Sequence, residues 1–178
     1  MMPRQIRGLD FENLSLLDAL DMAVLIEEEA RERYAEFAHQ MELHRTPDAA
    51  RFFWFMEGNE EKHRAALEAQ RVARFGDAPR RVTRAMIFDI EAPDYDAACA
   101  FMTLREALGA ALQAEEKAAS FFAAALPVVS DPDVKALFAE LHEEELKHQR
   151  LVKVHLDRAP ADPAIHPSEF ADEPVAID

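Results

Sequence analysis

The sequence repeats one helical pattern, and this repeat limits the fold more than any other feature. A glutamate followed seven residues later by an aromatic residue spans 27–34, and the pattern recurs 88 positions later at 115–122. A phenylalanine followed by Glu-x-x-His spans 53–63, and this pattern recurs 85 positions later at 138–148. The two halves of the chain therefore predict the same helical hairpin twice, with a small length difference that the turns can absorb.

Prolines separate four long stretches, each of which can form a helix of several turns. The predicted helices run from about Ser15 to Arg45, from about Asp48 to Phe75, from about Asp94 or Asp96 to Leu126, and from a cap at Asp131 or Asp133 to about Arg158. Ser15 is a suitable N-cap for the first helix, and Gly76 ends the second.

The lengths of the connections predict how the helices are arranged. Short turns join the first helix to the second and the third to the fourth, so each pair forms an antiparallel hairpin. The longer segment from Gly76 to about Tyr95 crosses along the bundle. Its apolar residues are expected to pack on the helices as a short strand or a turn of helix: Met86, Ile87, Phe88 and Ile90. We predict an all-α, antiparallel four-helix bundle over 1–158, followed by a proline-rich acidic tail, 159–178, that is extended or mobile.

Each predicted helix carries an acid on its core-facing stripe. Apolar residues recur at steps of three and four, and midway along each stripe the pattern passes through a glutamate or a Glu-x-x-His pair. The residues at these positions are Glu27, Glu60, His63, Glu115, Glu145 and His148. Four buried carboxylates without counter-charge would each cost several kcal/mol, whereas two divalent cations would neutralise them. Carboxylates mixed with imidazole suit iron or manganese, so the pattern predicts a site for two metal ions.

Charge and cysteine content exclude several classes of protein. The chain has 178 residues, with 35 acidic against 20 basic residues and a formal charge of −15. A field of this sign repels nucleic acid and anionic lipid, and no stretch reaches the roughly 18 apolar residues of a membrane helix. The single cysteine, Cys99, excludes an internal disulfide and a four-cysteine metal site. Without a disulfide framework or a signal-peptide pattern, we expect a cytoplasmic protein.

These motifs resemble those of the ferritin-like superfamily, and within it the rubrerythrin-like di-iron proteins. The resemblance covers about residues 15–158 and rests on the segment 27–34, the two Glu-x-x-His motifs and Glu115. It implies a ferritin-like bundle that holds two iron ions per chain, with manganese or zinc as substitutes. It also implies that the diferrous centre reacts with O2 or hydrogen peroxide, in peroxide scavenging or in iron oxidation.

The same resemblance implies a role for each residue of the site. The glutamates of the Glu-x-x-His motifs would bridge the ions, each histidine would hold one iron, and Glu27 and Glu115 would be terminal ligands. Tyr34 would donate a hydrogen bond to a ligating carboxylate. The six ligands are also similar to those of bacterioferritins. The sequence leaves open whether Glu115 or its neighbour Glu116 is the ligand.

Two departures from rubrerythrins proper affect the expected chemistry. Those proteins carry a four-cysteine rubredoxin domain that supplies electrons, whereas this chain, with one cysteine, would need an external electron donor. They also carry a further glutamate one turn after the ligand of the third helix, where this chain has Ala118. The second departure favours iron oxidation over peroxide reduction.

Two other functions fit the same sequence. The bundle could be a non-catalytic iron-binding or interaction protein, or a dimanganese catalase-like enzyme, because these ligand types do not separate manganese from iron. Aromatic residues around Trp54 predict a second buried surface, either a homodimer interface or a contact with the crossover segment. We expect a homodimer as the smallest assembly.

Overall fold

The computed structural model describes residues 5–6, 8–87, 90–94, 97–98 and 101–162, and most of this part of the chain is helical. The elements in chain order are β1 (Gln5–Ile6), β2 (Leu9–Asp10), α1 (Leu16–Leu43), α2 (Pro47–Phe75), α3 (Arg84–Ile87), α4 (Leu104–Ala125) and α5 (Pro132–Arg158). The two short strands pair antiparallel ahead of α1. Among the described residues, no helix combines the length and the apolar character that crossing a lipid bilayer requires.

Local sequence signals set the ends of three long helices close to where they were predicted. The hydroxyl of Ser15 accepts a hydrogen bond from the backbone N–H of Asp18 and caps α1. The carboxylate of Asp131 accepts from two backbone N–H groups and caps α5. Gly76 ends α2 with a φ of 56°, a left-handed conformation that glycine adopts without strain.

The start of α4 was predicted wrongly. The helix begins at Leu104 rather than at Asp94 or Asp96, and Phe101, which falls inside the predicted span, lies before it with a φ of 63°. A residue in this left-handed conformation cannot continue a right-handed helix. Thr103 and Glu106 instead form a reciprocal capping box, which satisfies two backbone N–H groups at the true N-terminus. Tyr95, Asp96 and Cys99 lie outside the described residues.

Replacing Thr103 with alanine should lower the free energy of unfolding by about 1 kcal/mol, because one side of the capping box is lost. Urea denaturation of the metal-free protein would measure the effect. Thr83→Ala is the matched control, since Thr83 is exposed in the crossover and should change stability by less than about 0.5 kcal/mol. Equal effects of the two substitutions would contradict the role of the capping box.

The helices pack as two hairpins. The most extensive contacts join α1 to α2 and α4 to α5, and smaller contacts between α2 and α4 and between α1 and α5 connect the hairpins. Residues 44–46 form the first turn and residues 126–131 the second, so each hairpin is antiparallel. The predicted pair of helical hairpins is therefore confirmed.

The crossover between α2 and α4 packs on the bundle through its apolar residues. Its single helical turn, α3, contacts α1, and Ile87 and Ile90 are buried. Phe88 lies outside the described residues. Arg84 anchors the same turn by two hydrogen bonds, of 2.6 and 2.8 Å, to the carboxylate of Glu32 on α1. The predicted packing of this segment as a turn of helix is correct.

Two hydrophobic clusters fill the bundle, and a polar layer separates them along every long helix. The first cluster includes Val24, Leu67, Phe122 and Phe138. The second cluster includes Phe37, Phe53, Leu108 and Val152. On each helix the repeated glutamate lies between a residue of one cluster and a residue of the other. The apolar packing thus places the four acids at the same level of the bundle.

Candidate metal centre

The polar layer brings together the acid of each long helix. Glu27, Glu60, Glu115 and Glu145 come from α1, α2, α4 and α5, and each is at most 3 % exposed. His63 and His148 follow the α2 and α5 glutamates by three residues, which places each histidine on the same helix face as its glutamate. All six predicted ligands therefore converge at one level of the bundle.

The two histidines face each other across the layer. Their rings are parallel within 4°, and the ring centroids lie 4.7 Å apart. Nδ1 of His148 lies 3.0 Å from Oε2 of Glu115 and 3.7 Å from Oε2 of Glu145. Nδ1 of His63 lies 3.9 Å from Oε2 of Glu27. Each histidine is thus close to the terminal glutamate predicted for its own half of the site.

Tyr34 lies beside the same layer and donates a hydrogen bond of 3.2 Å to Oε1 of Glu115. Its side chain is fully buried, and burial together with the charge of Glu115 raises the pKa of the Tyr34 phenol well above its ordinary value. Glu115 therefore has a partner on each oxygen, Tyr34 on one and His148 on the other. Glu116 instead is exposed and lies 3.7 Å from Lys153, so the structure places Glu115 in the layer and Glu116 outside it.

Several carboxylate oxygens in the layer have no donor. Among the described residues, no hydrogen-bond partner reaches either oxygen of Glu60, Oε2 of Glu27 or Oε2 of Glu145. Burial raises the pKa of Glu27 from its ordinary value of 4.5 to about 7. Burial and neighbouring carboxylates also raise the pKa values of Glu60 and Glu145 well above their ordinary value. Buried polar atoms are rarely left without a partner, so these oxygens fit a site that binds a cation.

The two imidazoles differ in their electrostatics. Burial and the adjacent ring of His148 lower the pKa of His63. Burial acts in the same direction on His148, but the hydrogen bond and the charge of Glu115 outweigh it and raise the pKa of His148. His63 is therefore the imidazole that more readily offers a neutral nitrogen to a metal ion.

Donor atoms within 4.8 Å of one another form three overlapping groups. These groups are Glu60 with His63 and His148, Glu115 with Glu145 and His148, and Glu27 with Glu60 and Glu91. The model of the rubrerythrin family matches residues 18–156, which is most of the chain. The chain belongs to the rubrerythrin family. The predicted resemblance and the predicted ferritin-like helical bundle are thereby confirmed.

A solved structure supports the fold of this rubrerythrin-family chain. The crystal structure of an uncharacterised conserved protein from Magnetospirillum magnetotacticum MS-1 superposes with a TM-score of 0.67 at 25 % sequence identity. The match covers 85 % of this chain and 100 % of that protein. No curated protein matches the sequence. Rubrerythrin-family proteins are typically di-iron proteins, and the unpaired oxygens and imidazoles of this chain fit a pair of metal ions.

The third group contains a residue that sequence reasoning missed. Glu91 lies in the crossover, is 1 % exposed, and shares its group with Glu27 and Glu60. A glutamate outside a helix has no periodic pattern that would single it out. The only local signal was its position between Ile90 and Ala92, both of which are buried.

A cavity connects the candidate centre with the surface. Its volume is about 460 Å³, and Glu27 and His63 form part of its wall. Further lining comes from α2 and α5, including Leu67, Glu140 and Glu144. The cavity therefore offers a route by which an ion or a small molecule can reach the Glu27 and His63 side of the layer.

Proposed function

We propose that this chain holds two iron ions in the carboxylate layer and is a di-iron oxidoreductase that reacts with O2 or hydrogen peroxide. The observation that carries the proposal is the set of four buried glutamates and two histidines at one level of the bundle, with several carboxylate oxygens that lack a donor among the described residues. Two ferrous ions held there would supply two electrons, which together with two protons are enough to reduce hydrogen peroxide to water or O2 to hydrogen peroxide.

The proposed ligand roles follow the grouping of the donor atoms. Glu60 belongs to two of the three groups and is proposed as a bridge. Glu145 of α5, which is the counterpart of Glu60 in the repeated Glu-x-x-His motif, is proposed for the same role. Glu27 and Glu115 are proposed as terminal ligands, because each lies close to the Nδ1 atom of one histidine, at 3.9 Å from His63 and 3.0 Å from His148. This arrangement gives each half of the repeat one imidazole and one terminal carboxylate.

Tyr34 is proposed to orient a ligand rather than to bind metal. Its hydroxyl donates to Glu115 and so directs the other oxygen of that carboxylate toward His148. The raised pKa of the phenol keeps its proton in place near neutral pH. The apolar clusters on either side of the layer exclude water from the remaining faces of the site.

Access from the surface favours small, charged or polar reactants. The cavity wall carries Glu140 and Glu144, whose negative charge would attract ferrous ions toward Glu27 and His63. Iron oxidation fits this acidic approach, and the alanine at position 118, buried in the core, supplies no further carboxylate for peroxide chemistry. The two alternatives are a non-catalytic iron-binding protein and a dimanganese catalase-like enzyme. Metal loading followed by exposure to O2 or hydrogen peroxide distinguishes them.

The metal-free protein, loaded anaerobically with Fe(II), should take up two iron ions per chain. Pulses of O2 or hydrogen peroxide should then oxidise the bound iron faster than iron in the same buffer, because the ions are held next to each other. Iron analysis and the absorbance of ferric iron would measure both steps. A faster reaction with O2 would favour iron oxidation as the activity of the protein. A faster reaction with hydrogen peroxide would favour peroxide reduction.

The same preparation tests the alternatives. Bound iron that neither oxidant reacts with would identify a non-catalytic iron-binding protein. Retention of manganese with release of O2 from peroxide would identify the catalase-like enzyme. Fewer than about one iron or manganese ion per chain after reconstitution would contradict every metalloenzyme proposal. The external electron donor, the cytoplasmic location and the homodimer stay predictions.

A further inference from the structure

We propose that Glu91 is a seventh ligand of the metal centre, supplied by the crossover and directed to the ion on the Glu27 side. The inference rests on the proposed function, since it needs a metal ion at the layer. Glu91 lies in the crossover, outside both repeated hairpins. It adds a carboxylate to the first half of the site that has no counterpart in the second half.

The backbone around Glu91 is fixed from two sides of the bundle. Arg33 of α1 donates to the carbonyl of Pro93 over 2.7 Å, and Lys117 of α4 donates to the carbonyl of Ala92 over 2.9 Å. Both contacts are made to backbone oxygens next to Glu91 rather than to its carboxylate. The two long cationic side chains thus hold the crossover against the bundle at the level of the carboxylate layer.

The carboxylate of Glu91 is buried and without a donor. The residue is 1 % exposed, and within the described part of the chain neither of its oxygens has a hydrogen-bond partner. No cation among those residues forms an ion pair with it either. A buried carboxylate in this position needs a counter-charge, and its neighbours are themselves acids.

The position of Glu91 identifies which ion it would bind. One of its oxygens lies within 4.8 Å of an oxygen of Glu27 and an oxygen of Glu60, so the three atoms surround one point. Three ionised carboxylates gathered without a donor repel one another unless a cation lies between them. The corresponding group in the second half contains His148, which makes the Glu27 side the more oxygen-rich of the two.

This asymmetry has a chemical consequence. A fifth carboxylate adds one negative charge to the centre, and oxygen ligands are hard donors that favour the trivalent over the divalent ion. The ion on the Glu27 side should therefore be the one that the protein holds more firmly after oxidation.

Zn²⁺ is a suitable probe because it does not change its oxidation state and binds carboxylates at about 2.0–2.2 Å. Crystals of the wild-type protein loaded with Zn²⁺ should show, by anomalous scattering, an ion at bonding distance from Glu91, Glu27 and Glu60. Calorimetric titration of Glu91→Gln should show one ion bound at least about tenfold more weakly and the other unchanged. Glu116→Gln is the matched control, because it removes an exposed acid from beside the layer.

The outcomes separate this inference from the proposed function. Two bound ions that both lie more than about 3.5 Å from the Glu91 oxygens, or equal affinities for wild type and Glu91→Gln, would overturn the inference and leave the metal centre intact. A wild-type protein that binds no ion would overturn both. If Glu91→Gln does not fold, the diffraction result from the wild type decides alone.

Discussion

Glu60→Ala will fold and will not hold the pair of metal ions. Glu60 is fully buried in the layer, and it belongs to two of the three donor groups. Removing it takes a ligand from both ions if it bridges them, so we expect the affinity for at least one ion to fall by about 100-fold or more. Metal analysis after dialysis and the absorbance of ferric iron would show the loss, and Glu145→Ala should behave in the same way.

The stability of a Glu60 variant without metal provides a second test, because here loss of the carboxylate should stabilise the protein rather than weaken it. Glu60 without metal is a buried acid whose oxygens have no partner among the described residues, so its removal takes away an electrostatic penalty. We expect metal-free Glu60→Gln, which keeps the side-chain volume, to be at least as stable as the metal-free wild type. With metal present, the order should reverse.

Glu61→Ala is the matched control on the same helix. Glu61 neighbours Glu60 in sequence, but its carboxylate is partly exposed and accepts two hydrogen bonds from Arg64, each of 2.8 Å. We expect metal binding to be unchanged in this variant. Equal losses of metal in Glu60→Ala and Glu61→Ala would mean that the ligand assignment is wrong.

The parts of this fold that could be predicted from the sequence are those set by local chemistry. Ser15, Gly76 and Asp131 each fix a helix end through their own backbone or side chain, and the sequence displays them directly. The repeated glutamates were found because helical periodicity carries apolar residues past them. The structure brings the six predicted ligands together for the same reason, since residues on one helix stripe must face the same core.

The predicted start of α4 is wrong because a stretch without proline permits a helix but does not require one. The stretch after Pro93 lacks proline up to Pro127, but the chain leaves the helical region at Phe101. The Thr-x-x-Glu signature at 103–106 marks the actual start and was available in the sequence. The capping motif is therefore better evidence for the start of this helix than the lack of proline in the preceding stretch.

Glu91 could not be predicted, because its position depends on contacts between distant residues. Arg33 and Lys117 hold the neighbouring carbonyls from α1 and α4, and neither contact follows from local sequence. Periodicity describes helices and strands, whereas a residue in an irregular segment is placed only by the tertiary structure. Irregular segments that pack on a predicted site are thus where functional residues are most easily overlooked.

Changing the pH will move the stabilities of the metal-free and metal-loaded proteins in opposite directions. In the metal-free protein, burial raises the pKa of Glu27 from 4.5 to about 7. Below about pH 4.5 this group is protonated in both the folded and unfolded states. As the pH rises from there to about 7, only the unfolded state releases its proton, so the folded state loses stability, by about 3 kcal/mol for this group alone.

Metal reverses this dependence of stability on pH, because the ligands must be deprotonated before they bind the ion. The gain in melting temperature on adding Zn²⁺ should therefore grow between about pH 5 and pH 8, while the metal-free melting temperature falls. Surface ion pairs have a different pH dependence. Arg84 lowers the pKa of Glu32, so the stability that this ion pair contributes is lost only as the pH falls below about 4.5. In the metal-free Glu27→Gln variant, the melting temperature should change less with pH than in the metal-free wild type. A metal-free wild-type melting temperature that rises across this pH range would show that the buried carboxylates do not control the pH dependence of stability.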